Sequence, residues 1–312
     1  MTGKPEIEII MATYNGARFL EAQVDSLLKQ TYHEWRLLVR DDSSTDNTVA
    51  LLKALSDRDD RIHLVSDGRG NLGMNGNFNH LLTLTTAPYV MYCDWDDVWL
   101  PEKIELTLNE MLLVEEESGG PALVHTDASV VDSNLAILRN RFIGRRGRRK
   151  GLSALIFANC VQGAATMINS PLRDMILRAQ PMLPYDYHNG VVAAATGQRR
   201  FIDKPLLLYR QHSSNTIGAG WKIDLAKLQS PTGISPTLQM AINGFPILRQ
   251  TLEFFADELS ATALEELNDA SQLLFGDNIL QRLRIALRRR YGFYRRRDNL
   301  NLLLYICHVN NI

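Results

Sequence analysis

The sequence predicts an α/β fold: a mostly parallel central sheet flanked by helices, followed by a helical C-terminal extension. Three observations lead there. Short, almost uninterrupted apolar runs alternate with segments whose apolar residues recur at helical spacing, as in a parallel sheet covered on both faces. The early runs stop abruptly at polar or acidic residues. Beyond about Gly220 the strand-like runs cease and helical periodicity takes over.

In chain order, Ile7 to Thr13 (IEIIMAT) reads as a buried strand, and Phe19, Leu20, Val24, Leu27 and Leu28 then share a helical face. WRLLVRDD is a second strand ending at Asp41-Asp42, after which Ser43, Ser44 and Thr45 offer N-cap oxygens for a helix through NTVALLKALSD. IHLVSD is a third strand, followed by the Gly- and Asn-rich GRGNLGMNGN and a helix from about Phe78. The fourth, YVMYCD, delivers Asp94, Asp96 and Asp97 just before Pro101, a residue suited to a first helical turn. In the second half ALVHTDASVVD reads as strand and bend, RNRFIGRRGRRKG as a mobile basic loop, and GAATMIN as a strand. SPLRDMILRAQ and DYHNGVVAAATG read as helices, and RRFIDKPLLLYRQHSSN as extended chain.

The 312 residues are 45% hydrophobic and 22% charged with a formal net charge of -1, so overall charge gives no case for nucleic-acid binding. Cys93, Cys160 and Cys307 form no CxxC pair and are odd in number, which argues against a disulfide framework or a zinc site and fits a reducing compartment. Strand-like sequence begins almost at once, leaving no room for a signal peptide, and no run approaches the roughly 18 apolar residues of a membrane span. The expectation is a cytoplasmic protein, with peripheral contact to the inner face of the membrane left open.

Ligands of open parallel sheets sit outside the carboxyl ends of the strands. Thr13-Tyr14-Asn15, Asp41-Asp42 and Asp94 to Asp97 therefore converge on one rim. Crowded carboxylates repel, and a hard divalent cation with oxygen ligands, Mg2+ or Mn2+, is the simplest remedy. The plainer alternatives are a helix cap for Asp97 and loop caps for Asp41 and Asp42. A phosphorylated receiver domain also pairs carboxylates after a strand, but it needs a strand-end lysine soon afterward, and Lys204 comes too late. GRGNLGMNGN matches neither GxGxxG nor GxxxxGKS/T; its glycines permit a tight turn that lets Asn71 and Asn77 point back at the rim.

Two basic segments stand apart. Arg145, Arg146, Arg148, Arg149 and Lys150 lie in a glycine-flanked loop, and Arg282 to Arg297 interleaves arginines with Leu, Ile, Tyr and Phe. Each reads either as solvated surface or as a contact for anionic lipid heads or the phosphates of a lipid-linked acceptor. No RNA-binding motif accompanies them, so no nucleic-acid partner is expected.

MATYNGARFLEAQVDSLLKQTYHEWRLLVRDDSSTDNT, NLGMNGNFNHLL, MYCDWDDVWLPEKI and LYRQHSSN together resemble the family 2 glycosyltransferases of the Rossmann-like GT-A fold. Within that family they are most similar to bacterial rhamnosyltransferases of surface polysaccharide synthesis. The resemblance covers roughly residues 7–218. It implies a GT-A domain over 1–220, with a nucleotide-sugar half (1–110) and an acceptor half (111–220), before a mainly helical region 221–312. It further implies inverting, metal-dependent transfer of a sugar from a nucleoside diphosphate sugar donor to a hydroxyl of a glycan or polyprenyl-linked glycan acceptor. The rhamnosyl subgroup points to dTDP-rhamnose.

By the same resemblance, Asp42 with Asp41 beside it meets the donor's base, with Thr13, Tyr14, Asn15 and Asn71 around that pocket. Asp94 and Asp96 match the DxD motif, with Asp96 on the metal, and Asp97 borders the sugar. Arg210 and His212 approach the diphosphate, and His212 is also a candidate metal ligand. Gln162 and Gly163 lie toward the acceptor, although GAAT departs from the family's usual polar pattern there. Trp95 stands where a small residue is common, and it either narrows the donor site or packs outward. Asp186, opening a helix, is the expected general base. Its structural alternative is a helix-N-terminal carboxylate whose pKa the dipole would lower. The C-terminal helices are a candidate homodimer interface or membrane contact. Two other classes compete. A sugar-1-phosphate nucleotidyltransferase would need a Gly-rich basic loop after its first strand, which MATYNGARF is not. A non-catalytic nucleotide-sugar-binding protein would leave Asp186 without work.

Overall fold

The computed structural model describes residues 4–156, 159–179, 184–213 and 236–289, with 302, 303, 305 and 306. β1 (Ile7–Thr13) lies between β2 (Trp35–Asp41) and β4 (Tyr89–Asp94), parallel to both, and β3 (Ile62–Leu64) continues the parallel set outside β2. The reason β1 is apolar without alternation is visible in its packing. Ile7, Ile9 and Met11 join the core on one face of the sheet, and Ile10 joins the core on the other. On the first face lie α1 (Leu20–Leu28), α2 (Thr48–Arg58) and α4 (Lys103–Ser118); α3 (Gly73–Thr83) lies on the second.

Two helix starts differ from the sequence reading. No side chain caps α2, because Ser44 is drawn back to Asp41 and it is Asp46 that accepts the N–H of Thr48 (3.0 Å). α3 begins at Gly73, not near Phe78: the Asp42 carboxylate takes the N–H groups of Leu72 and Gly73 and holds a weak helix-forming sequence in place.

The second half makes the sheet mixed. β5 (Val98–Trp99), β6 (Ala122–Val131), β7 (Ile137–Arg139), β8 (Thr166–Asn169) and β9 (Gln198–Arg210) complete the order β3-β2-β1-β4-β8-β6-β9-β5, with β7 paired on β6. β8 runs antiparallel to both β4 and β6, β6 and β9 are parallel, and β5 is antiparallel to β9. The parallel block is therefore β3-β2-β1-β4. The basic loop after β7 is anchored: buried Asp127 accepts the N–H groups of Phe142 (3.1 Å), Ile143 (2.8 Å) and Gly144 (2.9 Å).

α5 (Ser153–Ile156), α6 (Ser170–Arg178) and α7 (Tyr185–Thr196) cover the second face. α8 (Pro236–Glu253), α9 (Ala261–Phe275) and α10 (Ile279–Arg289) join the same core, with Leu238, Phe245 and Leu273 packing in the cluster that holds Val191 and Val192 of α7. The expected boundary at 220/221, Asn215, Cys307 and residues 290–297 of the cationic segment lie outside the described residues. Among the described residues no helix is long and apolar enough to cross a membrane.

One side chain ties α4, β6 and α6 together. Asn169, 1% exposed, accepts from Ala122 N (2.9 Å) and Leu172 N (3.2 Å) and donates to Glu115 Oε1 (2.9 Å) and the Gly120 carbonyl (3.0 Å). Asn169→Ala strands these buried groups and removes the cap of α6. A loss of about 2–3 kcal/mol is expected in urea denaturation. A loss below about 0.5 kcal/mol would show that this junction does not depend on Asn169.

Candidate active site

Register assembles the rim before any side chain acts. Thr13 is opposite Asp41 across β1 and β2, and Ala12 is opposite Asp94 across β1 and β4, so three strands end at one edge. There Thr13 Oγ1 donates to Asp41 Oδ1 (3.1 Å), and Ser44 donates to Asp41 from N (2.7 Å) and Oγ (2.6 Å). Asn15 N donates to Ser44 Oγ (2.7 Å), and Asn15 Oδ1 accepts from Thr45 N (2.8 Å). Asn15 sits at φ 48°, a left-handed conformation that asparagine tolerates. Tyr14 between them is 50% exposed and offers its ring to the solvent side of the rim.

Asp42 is turned inward. Its carboxylate accepts from Arg40 Nη1 (3.0 Å), Leu72 N (2.7 Å) and Gly73 N (2.8 Å), while Asn71 Nδ2 donates to its carbonyl (2.9 Å). Asn77 Nδ2 likewise donates to the Arg40 carbonyl (3.1 Å). Asp42 thus anchors the loop that closes this side of the rim, and Asp41 is the more accessible of the pair.

The second cluster follows β4. Asp94, Asp96 and Asp97 each offer an oxygen within 4.8 Å of the others. Burial pushes Asp94 up to about 8, helped by the charges of Asp96 and Asp186, while a hydrogen bond from Tyr185 opposes the shift. Burial also raises Asp96, and His212 holds it down; their Nε2 and Oδ2 are 2.8 Å apart. Asp97 is raised most clearly by burial and by its two acidic neighbours. Its Oδ1 accepts from Arg210 N (3.0 Å), and its buried Oδ2 has no hydrogen-bond partner among the described residues. The helix-cap alternative for Asp97 is set aside, because β5 intervenes before α4. Arg210 also donates from Nε to the Asp96 carbonyl (2.7 Å). Beneath the cluster Lys103 is fully buried, its Nζ 3.6 Å from the centre of the Trp99 ring, and burial pulls it down to about 7.

Trp95 packs against Phe19 (ring centroids 6.4 Å apart) and His212 (5.8 Å) and over Gly16, where a Cβ would stand 2.9 Å from the indole.

Asp186 enters on the first turn of α7. Tyr187 N (2.7 Å) and Asn159 Nδ2 (3.1 Å) donate to its carboxylate. Burial nevertheless pushes it up to about 6, the reverse of the dipole-lowered carboxylate. Gly163 lies against Tyr185, where a Cβ would fall 1.9 Å from the phenol oxygen. Gln162 is 8% exposed, and neither atom of its amide has a partner among the described residues. Tyr185, Lys103, Arg40 and Asn159 were not singled out from the sequence. The available signals were a tyrosine beside Asp186 and charged residues inside apolar stretches.

The comparisons with known proteins agree with this geometry. The profile of Glycosyl transferase family 2 matches residues 8–172. The Escherichia coli UDP-Glc:alpha-D-GlcNAc-diphosphoundecaprenol beta-1,3-glucosyltransferase WfgD is 38% identical over 106 residues, 34% of this chain and 41% of WfgD. The chain thus spans about two fifths of that relative's length. The dTDP-rhamnosyl transferase RfbG of Shigella flexneri is 25% identical over 226 residues, 67% of this chain and 74% of RfbG. The structure of S. aureus TarS 1-349 in complex with UDP-GlcNAc has a TM-score of 0.54 over 97% of this chain and 91% of that one, at 15% identity, a likeness of fold. With a profile match over more than half its length, the chain belongs to glycosyl transferase family 2.

Proposed function

We propose that this chain is an inverting, metal-dependent glycosyltransferase of surface polysaccharide synthesis. It would move a sugar from a nucleoside diphosphate to a hydroxyl of a glycan or polyprenyl-linked glycan. The observation that carries this reading is the cluster of Asp94, Asp96 and Asp97 at a strand-end rim, with Asp186 near enough for its charge to raise Asp94.

The donor set fits Mg2+ or Mn2+: hard carboxylate oxygens of Asp94, Asp96 and Asp97 held close together, beside a buried Asp97 Oδ2 with no hydrogen-bond partner among the described residues. Asp94 and Asp96 would hold the ion, with His212 at its edge and Asp97 toward the sugar. Such an ion, when bound, supplies positive charge for the leaving diphosphate. Arg210 adds a fixed cation on the same side. Tyr14 and Asp41 face the base, and Thr13, Asn15, Asp42 and Asn71 shape that pocket. Asp186 accepts the proton of the acceptor hydroxyl. A carboxyl pushed up to about 6 is ionised at neutral pH and retains basicity for the task. Gln162, with its uncommitted amide, and Gly163 border the acceptor. Residues 1–110 would serve the donor and 111–220 the acceptor, and in the region from 221 the described helices α8, α9 and α10 would be suited to dimer contact. The reaction is placed on the cytoplasmic side of the membrane.

For the donor we favour dTDP-rhamnose, supported by a match to RfbG over two thirds of the chain. UDP-glucose is the second reading, supported by the shorter but more identical match to WfgD. Calorimetric titration of dTDP, UDP and GDP with and without Mn2+ decides: tight Mn2+-dependent binding of dTDP supports rhamnose, and preference for UDP removes it. Binding of none would sink the transferase reading.

Asp96→Ala should lose Mn2+-dependent nucleotide binding, whereas Asp186→Asn should bind donor normally and transfer at least about a hundredfold more slowly. Equal loss of donor binding in both would remove Asp186 from the role of base. Unimpaired metal-dependent donor hydrolysis alongside unimpaired transfer in Asp186→Asn would do the same.

The raised carboxyls also predict a pH dependence. Unfolded aspartates titrate near 4, and Asp94 keeps its proton to about 8 in the fold. Between those values the folded state binds more protons, so stability without metal falls as pH rises. A divalent ion must displace those protons, so Mn2+ affinity should rise with pH up to about 8 and then level off. A flat affinity between about pH 6 and about pH 9 would contradict the assignment of these carboxylates as ligands.

A further inference from the structure

The β6–β7 hairpin presents what a folded surface normally hides. Leu135, Ile137 and Leu138 are 37%, 62% and 61% exposed, and among the described residues β7 pairs only with β6. The turn is firmly made: Asp132 Oδ1 accepts from Asn134 N (2.8 Å) and Ala136 N (2.9 Å), and Asp132 N donates to the Ala136 carbonyl (3.0 Å). Leu135 closes it at φ 69°, where glycine or asparagine would be less strained. Three apolar side chains thus stand on a rigid tip.

The chain that follows the tip is strongly basic. Residues 135–150 contain six arginines and one lysine and no acidic residue, in a chain whose net charge is -1. Asp203 pairs with Arg141 and Arg148, but Arg139, Arg145 and Lys150 have no carboxylate partner among the described residues. An apolar tip followed along the chain by cations without a carboxylate partner among the described residues matches a bilayer surface that offers acyl chains below and phosphates above.

We propose that this hairpin docks the protein on anionic phospholipid, inserting Leu135, Ile137 and Leu138 while Arg139, Arg145 and Lys150 meet the headgroups. The hairpin is joined to the candidate site: Arg210 Nη1 donates to the Ser133 carbonyl (2.8 Å), and Gln211 N donates to the Val131 carbonyl (2.8 Å). Docking there would bring the acidic rim to the surface where a lipid-linked acceptor resides, a consequence that rests on the proposed transfer; the docking itself does not. α10 is the rival surface, with Leu280 and Leu287 exposed at 69% and 76%, but its Arg288 is already paired with Asp269 and Glu265.

The test is vesicle co-sedimentation of the full chain, which needs no donor or transfer. The unmodified protein should bind vesicles of phosphatidylcholine and phosphatidylglycerol in equal parts, and bind phosphatidylcholine alone far more weakly. Ile137→Ser/Leu138→Ser should weaken binding about tenfold or more. Arg139→Gln/Arg145→Gln/Lys150→Gln should remove the preference for the anionic vesicles. Leu280→Ser/Leu287→Ser should bind as the unmodified protein does. An independent check is Ile137→Trp, whose added emission should shift to the blue on anionic vesicles. The proposal is overturned if the unmodified protein ignores both vesicles. It is equally overturned if only the α10 variant loses binding, or if Ile137→Ser/Leu138→Ser instead dissociates a dimer and leaves lipid binding intact.

Discussion

Three carboxylates with oxygens within 4.8 Å of one another would, if all were ionised, repel by about 3 kcal/mol per pair at an effective dielectric near 20, and burial adds a desolvation cost to each. Much of the surrounding structure is a response to that charge. Lys103 lies under the cluster, although burial has cost it part of its own proton affinity. The Arg210 backbone N–H is spent on Asp97 and its side chain on the Asp96 carbonyl. His212 approaches Asp96, and Tyr185 approaches Asp94. These groups do not complete the compensation, since all three carboxyls stay raised. Protons meet the remaining imbalance, Asp94 keeping its own up to about 8, and the proposed divalent ion would have to take their place.

Such compensation requires residues more than a hundred positions apart to meet, and the sheet arranges it with two residues. β5 pairs antiparallel with β9, Val98 opposite Leu208 and Trp99 opposite Leu207. That pairing brings Arg210 to Asp96 and Asp97, while β9 itself runs beside β6 along nearly its whole length. A strand of two residues has little stability of its own. Its place is secured by Trp99, 2% exposed, and by the Trp99 N–H bond to Ser26 Oγ (3.0 Å). The acidic cluster therefore inherits its geometry from the packing of α1 as much as from β4.

What could be read from the sequence divides along the same line. β1, β2 and β4 were legible because strands buried on both faces are apolar throughout, and their polar ends then located the rim. Asp94, Asp96, Asp97, Arg210 and His212 come together in the structure, from motifs far apart in the chain. β5 and β7 were not legible, because two or three residues carry no period and their pairing is decided by distant partners. The start of α3 was placed late because local propensity disfavours GMNGN as helix; the Asp42 carboxylate, from another strand, overrides it. Tyr185 was passed over for a related reason. Its importance lies in what it touches, and a single aromatic at a helix start has no pattern to announce it.

Asp186 shows how magnitude decides between two opposed effects. A helix N-terminus favours a carboxylate by about 0.3–1 kcal/mol, which is less than one pKa unit. Desolvation against α7 and its neighbours moves the group in the other direction, to about 6, and so outweighs the dipole together with the two hydrogen bonds it receives. The result is a carboxylate that is still charged at neutral pH but a stronger base than a surface aspartate. Its immediate neighbour Tyr185 bonds Asp94, stacks on Tyr92 with ring centroids 5.1 Å apart, and occupies space that exists only because residue 163 has no Cβ. The position of Asp186 is thereby fixed by the side chain that also restrains Asp94.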